Sequence, residues 1–282
     1  MLGLPLELCS SLCWGVSDFV GGIQARKVPL LRVLLISQGM GLACVGVIVA
    51  IRGTGPPAFA HVWPAIAAGL AGTAALAAFY RALAVGSMSV VAPIAATGVV
   101  VPVAVGIAGG DRPAAIQLAG IVAASIGVVL ASREQQHDVE PSERRMTPAT
   151  VGLSLIAALG FGSFFVGMRT AARADVLWAL FSARGAGVTA LVIATLIVRP
   201  ARLPDRGRLL PLAVVAVLDL GANALYAVAT HHGLLSEVAV ASSLYPLATV
   251  ILARVVLGER VRRVQELGIL AAVAGVAMIA AG

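Results

Sequence analysis

The sequence predicts an all-α integral membrane protein of ten transmembrane helices, arranged as two inverted five-helix repeats around a central cavity. Of the 282 residues, 60% are hydrophobic and 12% are charged, and the mean hydropathy is +0.99. A soluble domain of this length needs a more polar surface. The apolar residues recur in runs of about 20, the length that spans a bilayer as a helix. These runs extend along the whole chain.

Charged residues, prolines and glycines interrupt the apolar runs and define the ends of the predicted helices. The ten helices are predicted at residues 2–23, 30–51, 62–85, 88–109, 113–131, 148–168, 174–198, 209–231, 236–257 and 262–281. The first run has neither the charged leader nor the small-residue cleavage site of a signal peptide. We therefore expect it to remain in the protein as the first helix.

One polar segment divides the chain into two units. Residues 132–147 are rich in acidic and basic side chains and are predicted to form a solvated linker. Five predicted helices precede this linker in a unit of residues 1–131, and five follow it in a unit of residues 148–282.

The two units repeat the same motifs at a nearly constant spacing. Gln117 to Ile121 reads QLAGI, and Gln265 to Ile269, 148 residues later, reads QELGI. Trp14-Gly15 likewise matches Phe161-Gly162 at a spacing of 147. Because each unit has an odd number of helices, the second must enter the membrane from the opposite side. Inverted repeats of this kind are a recurrent construction of secondary transporters.

Glycines recur at a spacing of seven in the last helix of each unit. Gly120 and Gly127 lie in the fifth predicted helix, and Gly268 and Gly275 lie in the tenth. Residues seven apart share a helix face, and small residues let two helices approach closely in a membrane. We therefore predict close helix contacts at these four glycines.

The Lys and Arg residues predict the orientation in the membrane. Fifteen of them lie on the side of the odd-numbered loops, and four lie on the side that holds both termini. Cytoplasmic loops carry the excess of positive charge. We therefore predict a multi-pass protein of the plasma (inner) membrane with both termini outside. Because the cations are spread between apolar runs, they argue against a nucleic-acid-binding surface.

The motifs near the C-terminus resemble those of a known family. Residues 226–282 contain Leu244-Tyr245-Pro246 and Leu257-Gly258-Glu259-Arg260, followed by Gln265, Gly268 and Gly275. This order resembles the second repeat of the EamA-type transporters in the drug/metabolite transporter (DMT) superfamily. Residues 80–130, with Ala82-Leu83 and Pro102, look like its first copy. The resemblance implies translocation of a substrate, and the family carries amino acids, nucleotide-related metabolites and drugs.

Two charged side chains are predicted deep in the membrane. An Arg or Asp near the centre of a helix costs about 2.5 to 3.5 kcal/mol on insertion scales, so each needs a partner or water. Arg184 in the seventh helix and Asp219 in the eighth lie at depths that differ by about 3 Å. These depths allow either a salt bridge or a shared hydrated cavity. Asn223 lies one turn beyond Asp219 and shares its helix face.

These groups lead to a set of candidate residues for substrate binding or coupling. The functional interpretation places them around the central cavity, whereas the structural alternative is an ion pair that fixes the seventh and eighth helices. Gln38 joins the set as the repeat partner of Arg184, 146 residues earlier. Aromatic rings join it because they stack on aromatic or cationic solutes. The candidates are Trp14, Asp18, Gln38, Arg184, Asp219, Asn223, Tyr226 and Tyr245.

Three of the other polar or aromatic features also bear on the site. Asp18 is either a titratable cavity group or a side chain that reaches the membrane interface. Tyr80, beside Arg81, is predicted to anchor the chain at that interface. His231-His232 is predicted to be an interfacial pair, because no Cys or third His stands at a spacing suited to a metal site.

Prolines interrupt the fourth helix of both units. Pro93 and Pro102 fall in the fourth predicted helix of the chain, and Pro246 falls near the middle of the ninth. A proline inside a helix frees a backbone carbonyl that then needs another partner. Equivalent kinks in the two copies favour a midplane site, with the shaping of helix packing as the alternative.

The sequence as a whole favours a secondary active transporter, and not an enzyme, that exports amino-acid-like or drug-like metabolites by alternating access. Its expected partners are a small-molecule substrate, membrane lipids and a proton or other coupling ion. No cofactor, metal or nucleic acid is expected, and the chain can be a monomer or a homodimer. No Gly-Lys-Ser/Thr phosphate loop is present for direct use of ATP. Two alternatives stay open: a membrane-embedded lipid-modifying enzyme, which the scattered acids disfavour, and a non-transporting partner subunit.

Overall fold

The computed structural model describes residues 3–108, 114–131, 146–200, 205–232, 245–258 and 263–281, and these residues are helical apart from short connections. The α-helices are α1 Gly3–Ala25, α2 Leu30–Arg52, α3 Phe59–Val85, α4 Met88–Ala96, α5 Val100–Ala108, α6 Ala115–Ala131, α7 Pro148–Ala172, α8 Val176–Val198, α9 Leu209–His232, α10 Tyr245–Leu257 and α11 Arg263–Ala281. Short 3₁₀ helices at Thr97–Val99 and Arg206–Arg208 precede α5 and α9.

The length and composition of the helices confirm the prediction of an all-helical membrane fold. Within the described ranges, five helices are long and apolar enough to cross a bilayer. They are Leu30–Arg52, Phe59–Val85, Pro148–Ala172, Val176–Val198 and Arg206–Ala229. Shorter apolar helices occupy residues 88–102, 118–127 and 248–257. The total of ten helices and their inversion stay predictions.

The fourth predicted helix is interrupted. Continuous α-helix ends at Ala96, a 3₁₀ turn covers Thr97–Val99, and α5 continues from Val100. Pro93 lies inside α4. The Thr97 hydroxyl donates a hydrogen bond to the Ile94 carbonyl oxygen at 2.7 Å, which satisfies one backbone acceptor at the break. At the spacing of 147 the break corresponds to residues 244–246, where α10 begins at Tyr245, and residues 233–244 lie outside the described residues.

Local signals explain where several helices begin and end. Thr147 caps α7 by accepting a hydrogen bond from the Thr150 N–H, and Pro148 occupies the first turn. Asp175 caps α8 through the Trp178 N–H at 3.0 Å. Gly53 ends α2 with a φ of 67°, a left-handed conformation that favours glycine.

The outer surface of the helices is apolar. Side chains such as Ile51, Ile197, Leu210 and Val255 are exposed, although large apolar residues are normally buried in soluble proteins. A surface of this kind matches the hydrocarbon of a bilayer. The buried polar side chains lie inside the bundle instead.

Two hydrogen bonds set the relative direction of α1 and α9. The Ser10 hydroxyl donates to the Ala222 carbonyl oxygen at 2.8 Å, and the Ser17 hydroxyl donates to the Val215 carbonyl oxygen at 3.2 Å. Residue numbers rise along α1 while those of its neighbours in α9 fall. The two helices are therefore antiparallel.

The direction of α7 follows from its contacts with α3. Gly160 lies against Ala75, and Gly167 lies against Ala68, so α3 and α7 are also antiparallel. In turn, α3 runs parallel to α1, since Gly21 lies against Tyr80 and the Arg26 Nε donates to the Leu83 carbonyl oxygen at 3.2 Å. It follows that α1 and α7 run in opposite directions.

The four glycines spaced by seven form close contacts between α6 and α11, as predicted. A Cβ placed on Gly127 would lie 2.7 Å from the Gly268 carbonyl oxygen. A Cβ placed on Gly275 would lie 2.6 Å from the Gly120 carbonyl oxygen. These distances are shorter than ordinary carbon–oxygen contacts, so the two backbones approach as closely as they do only because side chains are absent there.

Candidate functional site

A cavity opens between the helices of the first and second units. Its volume is about 90 Å³, which is room for several water molecules, and its walls come from α1, α2, α3, α7, α8, α9 and α10. Seven of the eight candidate residues line it: Trp14, Asp18, Gln38, Arg184, Asp219, Asn223 and Tyr245. The structure therefore brings together residues that lie more than 200 positions apart in the sequence.

The centre of the polar lining is an ion pair. Arg184 Nη2 lies 2.6 Å from Asp219 Oδ2, and the two side chains are 7% and 15% exposed. The structure thus shows the salt bridge, one of the two arrangements that the helical depths of the two residues allow. Burial of a lone charge in a low-dielectric interior is costly, so each group supplies the counter-charge that the other needs.

Gln38 of α2 bridges both members of the ion pair. Its Nε2 donates to Asp219 Oδ2 at 3.2 Å, and its Oε1 accepts a hydrogen bond from Arg184 Nη1. One carboxamide has both a donor and an acceptor, and here each faces the group of matching polarity. The side chain thereby joins α2 to α8 and α9 at one point.

Asn223 completes the hydrogen bonding of the aspartate. Its Nδ2 donates to the Asp219 carbonyl oxygen at 2.6 Å and to Asp219 Oδ1 at 3.2 Å. The spacing of four residues on α9 permits both contacts, because residues i and i+4 are neighbours on a helix. Both carboxylate oxygens of Asp219 therefore have partners.

Asp18 differs from Asp219 in its surroundings. The residue is buried, with 8% of its surface exposed, and it lines the same cavity. It forms no ion pair with a cation among the residues that the structure describes. Of the two interpretations of Asp18, the structure favours the cavity group over a side chain that reaches the membrane interface.

An aromatic cluster forms the end of the cavity near α1. The Trp14 ring lies 5.6 Å from Phe165, 5.9 Å from Tyr226 and 6.4 Å from Tyr245, measured between ring centroids. Tyr226, the eighth candidate, is absent from the cavity lining and packs behind Trp14 and Phe165. It supports the aromatic wall instead of facing the space itself.

The α3 and α7 side of the cavity was not predicted from the sequence. Phe161, Phe164 and Phe165 line it, together with Thr73 and Leu76. In the sequence, an apolar residue that lines a cavity looks the same as an apolar residue that faces lipid. One signal was available, because the spacing of 147 that pairs Trp14 with Phe161 also pairs Asp18 with Phe165.

The position of Tyr80 contradicts the prediction that it anchors the chain at the membrane interface. The residue is 1% exposed and lies against Gly21 of α1, so it is a core residue and the predicted interfacial anchor is wrong. The missing side chain of Gly21 makes the space that the ring occupies. The predictions for the His231 and His232 side chains and for Pro246 lie outside the described side chains. Among the described residues, no cluster of His, Cys, Asp or Glu could hold a metal ion.

Comparisons with known proteins identify a family and a fold. The model of the EamA-like transporter family matches residues 1–133 and again residues 149–281. A search of curated proteins finds no match to this chain. A solved structure described only as "Crystal structure of protein" aligns with 98% of this chain and 95% of its own, with a TM-score of 0.67 and 14% sequence identity. At that identity the likeness concerns the fold alone.

Proposed function

Because this chain belongs to the EamA-like transporter family of the DMT superfamily, we propose that it is a secondary active transporter that exports small metabolites across the plasma membrane by alternating access. The observation that carries the proposal is the buried network of Arg184, Asp219 and Gln38 on the wall of a cavity between the two units. Buried charge inside a membrane protein is expensive and is generally kept where a polar solute or ion passes.

Alternating access requires two similar units that can move against each other, and contacts that repeat under exchange of the units support this organisation. Gly15 of α1 lies against Tyr245 and Ala248 of α10. Its repeat partner Gly162 of α7, 147 residues later, lies against Gly98 and Val101, which precede Tyr245 and Ala248 by the same spacing. The family model also matches the chain in two segments.

The opposite directions of α1 and α7 support the inversion of the second unit. Two inverted units enclose a site that either face of the membrane can reach, since a rocking motion closes one entrance as it opens the other. The ten-helix arrangement, with units of residues 1–131 and 148–282, is part of this proposal. In it the cavity lies near the middle of the bilayer.

Counterflow in proteoliposomes tests the proposal. The purified full-length chain is reconstituted with an unlabelled mixture of amino acids, nucleosides and hydrophobic amines inside, and entry of each radiolabelled compound is measured. We expect entry of at least one class, and we expect Asp219→Asn and Arg184→Gln to reduce it by at least about tenfold, because each change leaves a buried charge unpaired. Arg254→Gln, which breaks an exposed ion pair with Glu266 outside the cavity, serves as the matched control.

Two results would contradict the proposal. If no compound enters, the chain does not act as a transporter under these conditions, and the lipid-modifying enzyme and the partner subunit become the better interpretations. If Asp219→Asn and Arg184→Gln both transport as well as the unchanged protein, the ion pair is structural and the cavity assignment is wrong.

A further inference from the structure

The cavity has two walls of different chemistry, although the positions that form them correspond in the two units. The polar wall consists of α1 and α9 and carries Trp14, Asp18, Asp219 and Asn223. The apolar wall consists of α7 and α3, where Thr73 is the one polar residue of the described lining, and its residues at the corresponding positions are Phe161, Phe165, Gly72 and Leu76. Each correspondence uses the same spacing of 147. Each of the two carboxylates in the lining therefore has an apolar residue at the corresponding position of the other unit, Phe165 for Asp18 and Gly72 for Asp219.

The charges of the lining do not balance. Among the described residues that line the cavity, Asp18 and Asp219 are acidic and Arg184 is the only basic residue. Arg184 is already bound to Asp219 and Gln38. Asp18 therefore has no basic partner among the described residues of the lining, and a cation from outside would supply one.

We propose that the cavity selects small organic cations with an apolar body, with the ammonium group against Asp18 and the body against Phe161 and Phe165. This inference rests on the proposed function, since it assumes that the cavity is the substrate site, and it narrows the substrate class. The Trp14 and Tyr245 rings line the same cavity as Asp18 and add faces that attract a cation. The cavity volume of about 90 Å³ is well below the roughly 300 Å³ at which pockets for drug-sized ligands begin, so a small solute is expected.

The same geometry disfavours anions and zwitterions. A solute carboxylate needs a donor, and the guanidinium in the lining has Nη1 and Nη2 engaged with Gln38 and Asp219. Diverting Arg184 to the solute would leave Asp219 as a second carboxylate without a counter-charge. The ammonium group of an amino acid would therefore strengthen its binding and the carboxylate would weaken it, whereas a simple amine has only the favourable contribution.

Three solutes with the same ring and chain separate these cases. The full-length protein in lipid nanodiscs is titrated by calorimetry at neutral pH with 2-phenylethylamine, L-phenylalanine and 3-phenylpropionate. We expect the amine to bind about tenfold more tightly than either of the others. Asp18→Asn should weaken binding of the amine by about tenfold or more and leave the weak binding of 3-phenylpropionate unchanged or improved.

Two further variants control for folding and for the apolar wall. Asp205→Asn removes a carboxylate that is 90% exposed outside the cavity, and it should bind the amine like the unchanged protein. Phe165→Ala should weaken the binding of all three probes alike, since it removes a contact with the ring that they share. Thermal melting of each variant confirms that it is folded before titration.

The proposal is overturned if L-phenylalanine or 3-phenylpropionate binds as tightly as the amine, if folded Asp18→Asn keeps the affinity for the amine, or if no probe binds the folded protein. Its failure is distinguishable from that of the transporter proposal. Counterflow of amino acids that is independent of Asp18 would reject the cationic substrate and leave transport standing. Asp18-dependent binding of the amine without counterflow of any compound would keep the cation site and reject transport.

Discussion

Asp219 accepts hydrogen bonds at both carboxylate oxygens, from Asn223 at one and from Gln38 at the other, where Arg184 also lies at 2.6 Å. Removing one partner from such a group is worse than removing both, since a single change leaves a charge buried without compensation. An exposed ion pair behaves differently, because water replaces the lost partner. The two kinds of pair coexist in this chain, which permits a direct comparison.

At this scale we predict strong coupling within the buried pair. Arg184→Met or Asp219→Leu alone should each destabilise the protein by about 3–5 kcal/mol, and the double variant should lose much less than the sum. Unfolding in mixed micelles of increasing SDS content measures these free energies. The comparison is Arg254→Gln, whose pair with Glu266 is 43% and 41% exposed and should change stability by about 1 kcal/mol or less. Additive single changes would show that the buried pair is not coupled.

Among elements, the contact between α6 and α11 depends on backbone approach. Gly127 lies against Gly268 and Ala272, and Gly275 lies against Gly120 and Ala124, so the contact is the same when the two helices are exchanged. Other helical glycines, such as Gly185, have no neighbouring atom within 4 Å of an added Cβ. A glycine is therefore required for close packing at some positions in this chain and not at others.

A matched pair of alanine substitutions tests this difference. Gly127→Ala should destabilise the protein by about 1–3 kcal/mol, because the added methyl group meets the α11 backbone, which has no flexible side chain to move aside. Gly185→Ala should be neutral or stabilising by up to about 1 kcal/mol, since alanine is the better helix former. Melting in detergent compares the two. Equal melting temperatures would show that α6 and α11 leave room for a methyl group at Gly127 and so contradict the close backbone contact.

The helices and the charged site residues could be predicted from the sequence, and the rest of the site could not. The cost of a charge in lipid is a local property, so Arg184 and Asp219 are conspicuous in the sequence alone. The roles of Phe164 and Tyr80 depend on which helix faces them, and that information lies in tertiary contacts. The position of the break at Thr97–Val99 also depends on tertiary contacts. Pro93 predicts an interruption of the helix, but the contact of α7 with Gly98 lies at the break itself.

For the whole molecule, the orientation in the membrane is the main prediction that follows from the distribution of charge. Fifteen Lys and Arg residues lie on one side of the predicted topology and four on the other. Positive loops stay in the cytoplasm. The linker around Gln135 belongs to the positive side, and both termini belong to the other.

Reporter fusions measure this orientation. Alkaline phosphatase is active only outside the cytoplasm, whereas green fluorescent protein in its ordinary form fluoresces only inside it. A fusion at Gln135 should fluoresce and lack phosphatase activity, and a fusion after Gly282 should show the reverse. Identical results at the two positions would contradict an odd number of helices in the second unit.

The Gln38 carboxamide links motion of the first unit to charge in the second. It is held by Asp219 and Arg184 at once, so α2 cannot shift against α8 and α9 without releasing or exchanging a partner of the ion pair. If the chain is the transporter that we propose, a displacement of α2 would change the charge arrangement inside the cavity. A solute that displaced a partner of the ion pair would likewise loosen the hold on α2, so that binding and opening would be coupled through a single amide.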